Sequence, residues 1–548
     1  MSLTCWTCRL RRKKCDRVRP VCTSCARLRI SCDYSGVKPE WMDGSEKQAE
    51  MAKTIQAQIR QGATAADDRA FAVRVFPLRE TLSSQNQSTE PTTTTDSDGS
   101  TLRQDLSAPN ETNDFLTCLY LDTVFPCLFP WYRPQTLAGG RSWLLTLLKT
   151  NQAAFHAAIS VSAYYFTRLL ARDAANTLRT PCEQHVWDIW ASHMDLSMQL
   201  IRQHLSDTNA GRGRARIFDR THVLDSIVHL LIFEASLAKT GDWNLHLTAA
   251  LSHLDGIFRV HGLKDGKYHL HSVLLSMQLP SIFDGNNLGY HVWSADQTSF
   301  QFSTAVLIYA DIVASVCTRK APTLQHCHDA LIAGSSTPAT PSDQLIHMED
   351  YFGCYGWAFI LIGDIAALDT RKFAAVSDGA SNMEELAVLG QELKTRLYHG
   401  LERLGPIPAS CELPGKINQY DQHVLVTKLW LHAGLIYLST IMQRWHPTDP
   451  AICANVHAAL NLVKVLTSNI EIRCPVWPLC VAGCMVEDEY KLEVRRIMSE
   501  LPPLQSFGPS KEVVNIVEAA WHRRDQLEGN PPSLADYFRY QGSTILLI

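Results

Sequence analysis

Six cysteines at the start of the chain have a spacing suited to metal binding. Cys5, Cys8, Cys15, Cys22, Cys25 and Cys32 read C-x2-C-x6-C, then six residues, then C-x2-C-x6-C again. The second half repeats the first at an offset of 17 residues. Each C-x2-C pair places two sulfurs on one turn, and a third sulfur follows after a short helix. Zn2+ takes four ligands in a tetrahedron at about 2.3 Å from sulfur. Three thiolates per half fall one short of that number. Two halves that share two sulfurs let six cysteines hold two zinc ions. Five of the six positions between Cys8 and Cys15 are basic: Arg9, Arg11, Arg12, Lys13 and Lys14.

That basic run stands against the balance of the whole chain. The 548 residues carry 51 Lys and Arg, 55 Asp and Glu, and a net charge of −4. Residues 1–36 hold nine basic residues and two acids, which leaves 42 basic and 53 acidic residues elsewhere. A basic head on an acidic body predicts a polyanion-binding module attached to a unit with another task. No apolar leader opens the chain, so no secretory signal is expected. The longest apolar stretch noted, AAFHAAISVSAYYF, is too short and too polar to span a bilayer, and no membrane partner is expected. In a reducing compartment, clustered cysteines are metal-holding thiolates rather than disulfides.

The cysteine pattern, with its basic run, Asp16 after Cys15, and Pro20 two residues before Cys22, resembles the fungal Zn2Cys6 binuclear-cluster DNA-binding domain. The resemblance implies that Cys5 and Cys22 bridge two zinc ions. Cys8 and Cys15 would complete one site, Cys25 and Cys32 the other. It also implies that Arg9 to Lys14 form a helix entering the major groove of double-stranded DNA. Arg11 and Arg12 would then read a CGG-type triplet by donating to guanine O6 and N7. Arg9, Lys13, Lys14 and Arg17 would contact phosphates, as would Arg27 and Arg29 in the second half.

The elements that must carry this head follow in order. Residues 1–36 read as the DNA-binding domain and 37–62 as a linker with a short candidate dimerisation helix. Ser45 and Gln48 fit a capping box, and Ala52, Ile55 and Ile59 have a/d/a spacing, a seam of about two heptads. A homodimer and a plain surface helix both remain open. Residues 63–112 read as a flexible linker, with 82–112 polar and rich in Thr and Ser.

From 113 to 548 the periodicity is helical, and a large all-α regulatory domain of fifteen to twenty helices is expected. FLTCLYLDTVFPCLFPWY, GRSWLL, DWNLHLTAAL, GCYGWAFILIGDIAAL, WPLCVAGCM, EAAWHRRD and the terminal TILLI are similar to the fungal-specific transcription factor domain, type 2. That resemblance implies regulation of metabolic or secondary-metabolite genes.

No phosphate loop, nucleophile elbow or H-E-x-x-H helix is present, so no enzyme is expected. Asp242, His246 and His253 could share one helix face; Cys474, Cys480 and Cys484 cluster in sequence; and His326, Cys327 and His328 are consecutive. Packing is the expected role of each set. The sequence thus reads as a nuclear, zinc-dependent regulator of RNA polymerase II transcription, with activation favoured over repression. Its expected partners are DNA and the transcription machinery, with a small-molecule effector as a candidate. A zinc-headed protein scaffold and a metabolite-binding regulator are the alternatives.

Overall fold

In a computed structural model, the described residues are 4–17, 22–26, 32–34, 39, 41, 42, 44, 45, 47, 48, 50–55, 111–136, 139–170, 181–210, 216–237, 243–277, 293–334, 345–378, 383–406, 419–442, 448–467, 475–500, 509–526, 534–540 and 543–547. Two compact units emerge, Met1–Gln104 and Asp105–Ile548. Most of the expected linker at 63–112 lies outside the described residues, including the stretch read as disordered, save its last two positions. Those two begin the first helix of the body, Glu111–Leu119.

The second unit contains nineteen α-helices among the described residues, within the expected range. Its strands are two-residue antiparallel pairs: Leu263–Lys264 with Lys267–Tyr268, and Arg539–Tyr540 with Ser543–Thr544. The fold class expected from the helical periodicity is therefore correct, with two minimal hairpins added.

Local chemistry explains where helices break. The apolar run from 142 to 171 reads as continuous, yet it divides into Ser142–Thr150 and Gln152–Leu170. Asn151 makes the break by leaving helical geometry, and its Oδ1 accepts from the amide of Ala154 at 3.1 Å. This is N-cap chemistry. The same oxygen accepts from Ser226 Oγ, while Nδ2 donates to the carbonyl of His222. Asn151 thus fixes the helix start against the neighbouring helix Ile217–Leu237.

Helix Ala295–Thr318 starts at a complete capping box of Ser294 and Gln297, and nearly all its residues are buried. A helix apolar on every side belongs at the centre of a large core. Among the described residues, and against the expectation from the sequence, three helices are long and apolar enough to cross a membrane by length and composition: Ala295–Thr318, Asp421–Met442 and Pro450–Thr467. Their apolar windows are 94%, 78% and 44% buried within the body.

The sequence signatures of the body meet in pairs. Trp143 of GRSWLL donates from Nε1 to the hydroxyl of Tyr132, the last residue of the FPWY motif, at 2.9 Å. Trp521 of EAAWHRRD donates to the carbonyl of Gly483 within WPLCVAGCM, also at 2.9 Å. Arg524 then caps the carbonyl of Val486. Gly353, with φ +75°, lies under Trp131 so closely that a Cβ would sit 2.5 Å from the indole. Farther in, Trp430 and Trp477 stack at 4.9 Å between centroids and 17° between planes. These motifs are contact surfaces between helices.

Candidate metal centre and nucleic-acid interface

In the first unit, the backbone folds tightly around sulfur. The first helix spans Trp6–Leu10, with Cys5 as its N-cap. Cys5 Sγ accepts from the amide of Cys8 at 3.3 Å. The amide of Cys22 donates to Cys32 Sγ at 3.4 Å. A second short helix, Thr23–Ala26, carries Cys25. Trp6 N–H donates to the carbonyl of Asp33 at 2.7 Å, and the amide of Asp33 donates to Thr7 Oγ1. Ser24 Oγ donates to the carbonyl of Lys14. The two cysteine halves are therefore laced together by one backbone–backbone bond and two bonds between a hydroxyl side chain and the backbone.

All six sulfurs converge. Cys5, Cys8, Cys15 and Cys22 form one group and Cys5, Cys22, Cys25 and Cys32 another, with ligand atoms within 4.8 Å of one another in each. Cys5 and Cys22 belong to both groups and lie 3.7 Å apart; Cys8 and Cys22 are 3.4 Å apart, and Cys5 and Cys25 are 3.8 Å apart. Tetrahedral zinc at about 2.3 Å from each sulfur sets neighbouring sulfurs about 3.8 Å apart. Cys8 and Cys25, from different groups, are also 3.7 Å apart, so the sulfurs form one knot. Five of the six are buried, and Cys32 is half-buried. Six thiols, five of them buried, in two overlapping sets of four suit a pair of thiophilic ions.

Sequence reasoning missed Tyr34, whose hydroxyl lies 3.4 Å from Cys15 Sγ. Burial pushes the Cys15 thiol up, but hydrogen bonds from Tyr34 and nearby backbone outweigh it and bring the thiol to about 6. The signal was available in Tyr34's position two residues after Cys32. The packing of Met51 and Ile55 against the cysteine cluster was also missed. Ile55 is 2% exposed, although its spacing had placed it on a dimer seam. Ile59, the next seam position, lies outside the described residues. Gln48 does reach back at the start of this helical stretch, but to the amide of Gly44 rather than Ser45.

The basic run departs from the helix expected over Arg9–Lys14. The helix ends at Leu10, Arg11 caps it, and Arg12 takes φ +51°. A left-handed residue stops the helix, because the next amide no longer points along its axis. Arg9, Arg12, Lys13, Lys14 and Arg17 are exposed, and Arg11 is half-buried with an unpartnered Nη1. Arg9 sits over the Trp6 ring at 5.1 Å. Pro20, Arg27 and Arg29 lie outside the described residues.

The other candidate clusters are absorbed by packing. His246 pairs with Glu234 at 2.7 Å, while His253 bonds the carbonyl of Arg220, so these two histidines do not converge; Asp242 is outside the described residues. Cys480 and Cys484 are buried, and Cys474 is outside the described residues. His326 and Cys327 bond the carbonyls of Thr323 and Leu324, and His328 is buried.

Sequence comparison agrees with this geometry. The profile of the fungal Zn(2)-Cys(6) binuclear cluster domain matches residues 3–40, and that of the fungal specific transcription factor domain matches residues 115–548. The chain belongs to the fungal Zn2Cys6 transcription factors. The head of this transcription factor is thus a domain that binds two zinc ions, and the cysteine knot fits them. The factor is 31% identical to transcription factor dibT of Pestalotiopsis microspora, covering 99% of this chain and 98% of the relative. It is 25% identical to pestheic acid cluster transcriptional regulator 3 of Pestalotiopsis fici, over 95% and 94% of the two chains. It is 23% identical to ustiloxin B cluster transcription factor ustR of Aspergillus flavus, again over 95% and 94%. No solved structure matches the chain.

Proposed function

We propose that the chain is a nuclear, sequence-specific activator of RNA polymerase II transcription that reads CGG-type triplets and controls a secondary-metabolite gene cluster. The observation that carries this reading is the cysteine knot beside an exposed basic run. Cys5 and Cys22 bridge the two zinc ions, Cys8 and Cys15 complete one site, and Cys25 and Cys32 complete the other. Their membership of the two four-sulfur groups supports this assignment. The cluster names of two relatives support the class of target genes.

In this reading Arg11 and Arg12 address guanine edges. The exposed Arg12, whose left-handed backbone turns the chain at the helix end, supports this reading. Arg9, Lys13, Lys14 and Arg17 hold phosphates, which makes affinity fall with salt. Residues 1–36 act as the reader, 37–62 and 63–112 as the connection, and 113–548 as the regulatory body that contacts the transcription machinery. We read the chain as non-catalytic. Ile55 cannot line a coiled-coil seam while it covers the cysteines, which supports one chain on one triplet.

Selection of random duplex DNA by the full-length, zinc-loaded factor tests the reading. CGG-containing sites should be enriched, and Arg12→Ala and Cys15→Ala should each abolish the enrichment. Absence of any triplet preference in folded, zinc-loaded protein would overturn the DNA reading. Recovery of two triplets at fixed spacing would overturn the monomer.

A further inference from the structure

Cys15 ends the basic run, and its sulfur has a neighbour that no count of ligands requires. The hydroxyl of Tyr34 lies 3.4 Å from Cys15 Sγ, within hydrogen-bond reach of sulfur, and the two residues are 19 positions apart. Cys15 is 8% exposed, and the half-buried Tyr34 packs against the cysteine cluster. The chain before Tyr34 is held in place. Asp33 bonds the first helix twice, its carbonyl accepting from the amide of Trp6 and its amide donating to Thr7 Oγ1. Cys5 and Cys32 accept from backbone amides, those of Cys8 and Cys22. The Tyr34 contact comes from a side chain, so a substitution can remove it.

Elementary sulfur chemistry gives this contact a direction and a task. A free thiol and a hydroxyl can each donate to the other. A metal-bound cysteine has lost its proton, so its sulfur accepts and the tyrosine hydroxyl donates. A hydrogen bond to a charged acceptor is stronger than one between neutral groups, and it draws electron density from the sulfur. Partners of a metal's ligands also fix the direction in which each ligand points. The surroundings make such a bond consequential. Cys15 directly follows Lys13 and Lys14, both exposed, and a cationic setting favours attack on a thiolate.

We propose that Tyr34 donates a hydrogen bond to the zinc-bound sulfur of Cys15, orienting that ligand and shielding its thiolate from electrophiles and oxidants. Tyr34 is thus a positioning residue of the metal centre, acting through Cys15 rather than on the ion. The inference rests on Cys15 as a zinc ligand and is independent of which DNA the head reads.

Alkylation of the full-length, zinc-loaded protein with iodoacetamide, followed residue by residue by mass spectrometry, tests this role. Exposed Cys118 on the body serves as the internal reference. In Tyr34→Phe, Cys15 should react about threefold to tenfold faster than in wild type, with Cys25 and Cys118 unchanged. A loosened fold would also speed alkylation, so a second readout uses protein loaded with Co2+ in place of zinc. Tyr34→Phe should move the sulfur-to-cobalt charge-transfer band to longer wavelength while the d–d bands of tetrahedral cobalt keep their intensity. Replacing Tyr34 with 3-fluorotyrosine, a stronger donor of nearly the same size, should move the band the opposite way. That comparison decides alone if Tyr34→Phe fails to load metal. An unmoved charge-transfer band, or equal Cys15 rates in wild type and Tyr34→Phe, would overturn the role of Tyr34. Equal Cys15 rates in zinc-loaded and zinc-free wild type would instead overturn Cys15 as a ligand, and this inference with it.

Discussion

Single residues in this protein are decided by whether their polar atoms find partners. Asp225 is buried, takes the hydroxyl of Ser303 at 2.6 Å, and lies near His222 and Asp296. Burial raises its carboxyl from 3.8 to about 7. A folded-state pKa above the unfolded value means that the native state holds the proton longer. The associated stability is fully present below about pH 4 and is lost as pH rises to about 7. Asp225→Asn should therefore gain on wild type between pH 5 and pH 7, by on the order of 2 kcal/mol, in urea unfolding at the two pH values. A difference between the two proteins that does not change with pH would refute the assignment. Trp521 is simpler: replacing it with Phe removes the bond to the Gly483 carbonyl and should cost about 1 kcal/mol in the same assay.

Elements are set by what stops them and by what they cover. Asn151 divides one apolar run into two helices, a break that hydrophobic periodicity alone could not reveal. Arg12 ends the head's helix early, where a run of good helix formers promised continuation. The helical stretch at residues 50–55 gave the opposite lesson. Of its expected seam positions, Ile55 covers the cysteines of the same chain, together with Met51, which the heptad spacing did not single out. Ile55→Ala should loosen that cover by about 2 kcal/mol and lower the chelator concentration that strips zinc. The Met348–Phe352 helix ends at Gly353, whose φ of +75° and contact with Trp131 leave no room for a side chain. Gly353→Ala should destabilise the body by about 1–3 kcal/mol in thermal or denaturant unfolding, through both strain and overpacking.

At the scale of the whole molecule, two units hold themselves together by different means. A thirty-residue head with few apolar side chains depends on its metal, whereas the body has a large contiguous core. Chelation should therefore abolish DNA binding while far-UV circular dichroism keeps most of its helical signal. Much of this was legible beforehand. The cysteine spacing pointed to the metal count, and the three-and-four apolar pattern to an all-helical body. The convergence of Phe129, Trp131, Tyr309 and Trp430 was not legible, because residues up to about three hundred positions apart meet only through the packing of helices. Nor could sequence show that EAAWHRRD and WPLCVAGCM are two sides of one contact.

The stacked indoles of Trp430 and Trp477 also give the molecule an optical property. Two identical chromophores 4.9 Å apart and within 17° of parallel couple their electronic transitions. Where their transition moments are twisted relative to each other, such a pair gives paired bands of opposite sign in circular dichroism, a signal that vanishes when either ring moves away. The core of the regulatory body thus carries a label-free reporter of its own integrity, and Trp477→Phe identifies the reporter by erasing the couplet.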